Sequence, residues 1–249
     1  MEKIYTVNII NLHFIVPIFI SMKRFFSVVI MMSANFLFGF SQTILQPNYA
    51  LKSHETLEIS KIEIRNDNTI MYLTIENRIE GGTFCADRNI YIINSEGEKL
   101  RLVKSSEIPV CPDTYKFKSI GEKLQFTLSF PPFKPETKWV DLVEDCTGNC
   151  FWFYGVTLDN DLNKRIDEAF SNASGGKAED NIVLFKTILD SIDSQDLGIE
   201  GLLYINIINA VSGDAGKVNA AAWYKRLASS NAPRVSQYLK YLNDKGIKY

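Results

Sequence analysis

An α+β chain is predicted, an antiparallel β-sandwich over residues 55–158 followed by an all-helical domain over 159–249. Three observations predict it. Apolar residues alternate with period two up to about residue 158, and they recur with helical spacing from residue 160 onward. The four cysteines, Cys85, Cys111, Cys146 and Cys150, all fall in the first of these parts. Residues 42–54 are expected to be a linker, and residues 1–41 a secretory leader.

The strand pattern opens at Leu57-Glu58-Ile59 and Ile62-Glu63-Ile64, which lead into the turn cluster Asn66-Asp67-Asn68. Met71, Leu73 and Ile75 then alternate with Tyr72 and Thr74, completing a β-hairpin. NIYIIN, the turn SEGEK and LRLVK give a second hairpin. KLQFTLSF puts Leu124, Phe126, Leu128 and Phe130 on one face, opened by Gly121-Glu122 and stopped by Pro131-Pro132. KWVDLVED and FWFYGVTL bring the set to about eight short strands, enough for a sandwich of immunoglobulin-like architecture.

At Asp159-Asn160 the period changes. Leu162, Ile166, Ala169 and Phe170 form one helical stripe behind an Asp/Asn cap, and SNASGGK breaks it. Residues 178–193 make a second helix, with Gly198 in the break after it. GLLYINIINAV is a third, KVNAAAWYKRLA a fourth, and Pro233 opens the last, PRVSQYLKYLNDK. The third and fourth helices resemble a tetratricopeptide repeat. With Ala220 at that family's inner-helix alanine, Tyr204, Ile207, Val211, Tyr224 and Leu227 fall on its aromatic and apolar positions. Ile208 replaces the family's small residue, and Pro233 falls one residue late. LFKTIL, with Phe185 opposite Tyr224, is a partial second copy. The resemblance implies stacked helical hairpins that present a groove to a partner.

The leader has the three parts of a secretory signal. Met22-Lys23-Arg24 is the positive segment, residues 25–38 the apolar one, and Gly39-Phe40-Ser41 offers small residues before Gln42. The expected translation start is Met22, with cleavage near Ser41 and a secreted or periplasmic destination. Membrane contact is then expected only through the signal segment. The chain has 27 basic and 29 acidic residues. The first 41 residues hold Lys3, Lys23, Arg24 and Glu2, so the remainder carries 24 and 28, a net charge of −4. Its basic residues do not cluster, which argues against nucleic-acid binding.

An even cysteine count in an exported chain points to disulfides. Four cysteines allow three pairings, among which sequence alone does not choose; Cys146 and Cys150 bracket an easily bent Thr-Gly-Asn, and local loop closure favours that pair together with Cys85–Cys111. The alternative for Cys146 and Cys150 is a thiol-disulfide oxidoreductase. Such pairs normally have two intervening residues at a helix start, whereas here three intervene and an aromatic strand follows. A zinc site would want a second tight pair. Apart from His13 in the leader, His54 is the lone histidine, and no HExxH, GxSxG or phosphate loop occurs. Catalytic residues, metals and cofactors are therefore expected to be none. Asp159 and Asp161 could hold calcium, although acids at a helix start complement its dipole.

Trp152 and Tyr154 share one face of the last strand. They are expected either at the interface with the helices or, exposed, as a carbohydrate-binding platform. The whole resembles the exported sandwich-plus-helix segments of Bacteroidetes, on its Gly-Phe-Ser-Gln leader end, LEISKIEI opening and FWFYGVTL close. That resemblance implies an accessory, non-catalytic module. The expected function is recognition of a protein or peptide partner, with Tyr204, Asn206 and Asn209 lining the helical groove and Trp152 and Tyr154 on the sandwich face.

Overall fold

In the computed structural model, which describes residues 41–173, 178–192, 197–212 and 217–249, twelve strands precede five α-helices. The expected leader, except Ser41, and residues 174–177 of the expected helix break lie outside the described residues. The strands are β1 (Gln42–Leu45), β2 (Leu51–Lys52), β3 (Leu57–Ile64), β4 (Thr69–Glu76), β5 (Thr83–Phe84) and β6 (Ile90–Asn94). They continue as β7 (Lys99–Arg101), β8 (Lys104–Ser106), β9 (Tyr115–Lys116), β10 (Lys123–Phe130), β11 (Trp139–Glu144) and β12 (Trp152–Thr157). The helices are α1 (Asn160–Ala173), α2 (Ala178–Leu189), α3 (Glu200–Val211), α4 (Lys217–Ala228) and α5 (Val235–Asp244). A 3-10 turn, Leu197–Ile199, precedes α3.

Two five-stranded antiparallel sheets, in the orders β1-β3-β4-β10-β8 and β2-β12-β11-β6-β7, share one apolar core, and β5 pairs with β9 beside them. Period-two alternation decides which residues enter that core. Leu124, Phe126, Leu128 and Phe130 of β10 are buried, and the residues between them are not. Both predicted hairpins form, β3 with β4 and β6 with β7.

The stretch expected as a linker, 42–54, contains two strands. β1 is an edge of the first sheet beside β3, and β2 an edge of the second beside β12. These strands were illegible because they are short. β1 buries only Ile44 and β2 only Leu51, too few positions for a period to show.

The second sheet is covered on both faces. β12 sends Phe151 and Phe153 into the core between the sheets, while Trp152 and Tyr154 pack against a second apolar cluster built by the helices. Ala50 and Leu51 join that second cluster. Residues 41–249 accordingly form one compact unit, in three layers of sheet, sheet and helices. Asp159 caps α1, its Oδ1 accepting the N–H groups of Asp161 and Leu162 at 2.9 and 3.0 Å. Those hydrogen bonds and Lys138 outweigh the effect of partial burial and hold its pKa below the usual carboxylate value. Buried Asn163 latches α1 down, accepting Asn48 N–H at 2.7 Å and donating to Thr157 O at 3.2 Å. No described helix is long and apolar enough to cross a membrane.

Candidate functional site

Both expected disulfides form, Cys85–Cys111 and Cys146–Cys150, and both border the same space. They fit an oxidising compartment, extracellular or periplasmic. Between them lies an open cleft of about 610 Å³. Its walls come from His54 and Thr56, from the end of β4 and the loop after it, from β5, and from the Cys146–Cys150 loop.

Each wall is fixed by a local device. Gly82 lets the chain pass against Asn77, since a Cβ there would sit 2.1 Å from Asn77 Oδ1. Asn77 Nδ2 in turn donates to Ile79 O and Ser119 O, both at 2.8 Å. Phe84 turns into the core, its ring 6.0 Å from Phe126 and 6.1 Å from Phe151. Glu144, 6% exposed at the end of β11, holds two segments at once. Its Oε1 accepts Asp87 N–H at 2.7 Å and its Oε2 accepts Phe151 N–H at 2.9 Å. Burial pushes the Glu144 carboxyl above its ordinary pKa, and the two N–H bonds offset this only in part.

His54, the last residue of the expected linker, is half-buried on the cleft wall against the Phe84 ring at 6.3 Å. Its Nδ1 shares a 2.8 Å hydrogen bond with Ser53 Oγ, which also accepts Trp152 N–H at 2.8 Å. Burial lowers the imidazole pKa, favouring the neutral ring. Asn77, Glu144 and Ser53 are thus engaged in holding the backbone around an open space.

The groove residues expected on the helices are dispersed. Tyr204 is 2% exposed, a correction to its expected place in an open groove. Its ring packs near Trp223 at 6.2 Å inside the helical cluster, because that face of α3 turns toward α4. Asn206 donates to Leu202 O one turn back in its own helix at 2.8 Å. Asn209 alone of the three is exposed. Trp152 and Tyr154 stack on each other with centroids 4.2 Å apart and lie half-buried under the helices rather than forming an open platform.

The cleft itself went unseen in the sequence, because its residues come from five separate segments. The nearest signal was the cysteines: closing two local loops on one short domain frames whatever lies between them. No family model matches this chain, and no curated protein matches it.

Proposed function

We propose that this chain is an exported, non-catalytic binding protein whose disulfide-framed cleft takes a segment of a protein or peptide partner. One observation carries the reading. A cleft of about 610 Å³ lies open, and its rim is fixed by two covalent bridges and by the doubly bonded Glu144 carboxylate. A preformed site loses little ordering entropy when a ligand enters. Export through the leader ending near Ser41 agrees with the two disulfides. In this reading the sandwich is immunoglobulin-like, and the helices are a divergent tetratricopeptide-like stack that braces the second sheet. Ala220, Ile207 and Leu227 are each fully buried, as such a stack requires, and successive helices pack on one another in chain order. The chain would then be an accessory module of the kind found in Bacteroidetes.

The test is selection of displayed random peptides on the immobilised protein. A Cβ at Gly148 meets nothing within 4 Å, so Gly148→Trp attaches a bulky side chain at the rim with open space at its point of attachment. Exposed Val183 on α2 supplies a control, Val183→Trp. Peptides that bind the parent and the Val183→Trp variant but lose about tenfold or more on Gly148→Trp support the reading. Selected peptides indifferent to Gly148→Trp, or no selection at all, would end it.

A further inference from the structure

We infer that the partner segment binds as an added β-strand along β5, and that it is an extended peptide bearing lysine or arginine. The inference rests on the cleft being the binding site, and it names how the cleft binds and what.

The strand edge follows from the hydrogen bonds. Thr83 faces Lys116 and Phe84 faces Tyr115 in the β5–β9 register. Phe117 N–H donates to Gly82 O, Ala86 N–H to Pro109 O, and Cys111 N–H to Ala86 O, each at 3.0 Å. Gly82, Phe84 and Ala86 therefore turn their backbone groups toward residues 109–117. Alternation along a strand directs the N–H and C=O groups of Thr83, Cys85 and Asp87 to the opposite side. The last of that row, Asp87 N–H, is taken by Glu144 Oε1 at 2.7 Å. Among the described residues, nothing bonds to the backbone groups of Thr83 and Cys85. Both residues line the cleft, and Thr83 is exposed. Two N–H and two C=O groups thus stand in a strand geometry at the wall of an open cleft, the arrangement that strand addition uses.

Charge selects the occupant. The lining carries Glu76, Asp87 and the buried Glu144 against Arg78, and Glu76 is already neutralised in part by Arg78 Nε at 3.1 Å and Lys123 Nζ at 3.6 Å. Exposed Glu55, Glu80, Asp113 and Asp145 adjoin lining residues in sequence, against exposed Arg88, Lys116 and Lys118, which leaves this ring acidic by one charge. An extended segment whose alternate side chains are basic complements this surface and is repelled least.

The probe is a blocked peptide of alternating lysine and threonine, with three comparators. One replaces lysine by glutamate, and two carry N-methyl groups on alternate amides, one for each register. The lysine peptide is expected to bind about tenfold or more tightly than the glutamate peptide. One N-methyl series should lose binding while the other keeps it, since only one face of an added strand meets β5. Amide exchange at Thr83 and Cys85 should slow by about tenfold or more in the bound state. Equal binding by both methylated series, or unchanged exchange at Thr83 and Cys85, overturns strand addition. Equal binding of the glutamate peptide, or no binding of the lysine peptide, overturns the charge assignment. Each of these leaves the cleft's role to the display selection, in which peptides of any chemistry can score.

Discussion

Arg234 Nε and Nη2 each lie 2.9 Å from Oδ2 of Asp141, so the residue that opens α5 is paired with one in the middle of β11. The other Asp141 oxygen accepts Gly155 N–H at 2.8 Å, and the guanidinium lies 5.1 Å from the centroid of the Tyr154 ring. Burial pushes the Asp141 carboxyl up in pKa, with the Gly155 N–H and Arg234 pulling it back in part. Arg234 reaches this place in a left-handed conformation, φ 66°, which an ordinary side chain adopts only under constraint. The helices are therefore joined to the second sheet by a charge pair, its carboxylate buried and its guanidinium partly exposed, as well as by apolar packing.

Removing the cation leaves a carboxylate that is 2% exposed without its counter-charge. Arg234→Gly also relieves the left-handed backbone, so any loss it shows belongs to the guanidinium's contacts with Asp141 and the Tyr154 ring. Unfolding in urea is expected to report a loss of about 2–3 kcal/mol, less than for a fully buried pair because the Arg234 side chain is partly exposed. Adding Asp141→Asn should recover part of it, because the uncharged amide tolerates burial better. A cost under about 1 kcal/mol for Arg234→Gly would mean that Asp141 does not depend on this partner.

Two glycines set how closely the 3-10 turn approaches the sheet. A Cβ on Gly155, φ 63°, would lie 1.9 Å from Gly198 O, and a Cβ on Gly198 would lie 2.2 Å from the Trp139 ring. Backbone and a packed indole cannot withdraw cheaply. Gly155→Ala and Gly198→Ala should each cost about 2 kcal/mol or more, whereas Gly148→Ala, in open space, should stay within about 0.5 kcal/mol. Equal costs for Gly155→Ala and Gly148→Ala would refute the close contact.

The longer elements were legible because one face of each is buried and the other is not. β4 and β10 alternate cleanly, β3 does so on either side of a register shift between Ile59 and Lys61, and the stripe Leu162, Ile166 and Ala169 is buried as its spacing predicts. What stayed hidden has a physical reason in each case. β5 and β9 have two residues each, too few to carry a period. β11 reads as nearly continuous apolar residues around one acid because both of its faces are covered, and nothing in WVDLVE says that the partner of Asp141 lies at Arg234. Tyr204 had the right residue type for a groove, but only the packing of α3 on α4 shows that its ring is enclosed. Pro233 marked the last helix correctly to within two residues, since α5 begins at Val235 after the left-handed Arg234.

Glu144 makes a prediction with a definite sign. Its folded-state pKa is raised, so its contribution to stability is fully present below the unfolded value of 4.5 and is lost as pH rises toward the folded value. Glu63 and Asp190, whose pKa values are lowered by Lys61 and Lys186 respectively, act oppositely, so the whole protein's profile mixes both signs. The difference between the parent and Glu144→Gln isolates one group. The parent's stability relative to that variant is expected to fall as pH is raised above about 4, and to level off once the folded-state carboxyl has ionised. Urea midpoints at a series of pH values supply the slope. A flat or rising difference would show that the two N–H bonds fully offset burial.

The two disulfides should differ in what they stabilise. Cys85–Cys111 spans 26 positions and Cys146–Cys150 spans 4. Loop-closure entropy alone gives about 3.5 kcal/mol for the first and about 2 kcal/mol for the second. Replacing both members of a pair by serine should therefore cost more at Cys85 and Cys111. At Cys146 and Cys150 the flanking backbone remains clasped, since Glu144 still accepts from Phe151 and Asp87 and its own N–H still donates to Phe151 O at 3.0 Å. That variant should fold, with a loosened Thr147-Gly148-Asn149 rim and weaker binding of cleft-selected peptides. Urea unfolding and peptide titration on the same two variants separate the effects. If the Cys146→Ser/Cys150→Ser variant loses as much stability as the other, the short bridge braces the sandwich itself. If it keeps full peptide binding, the rim does not shape the site.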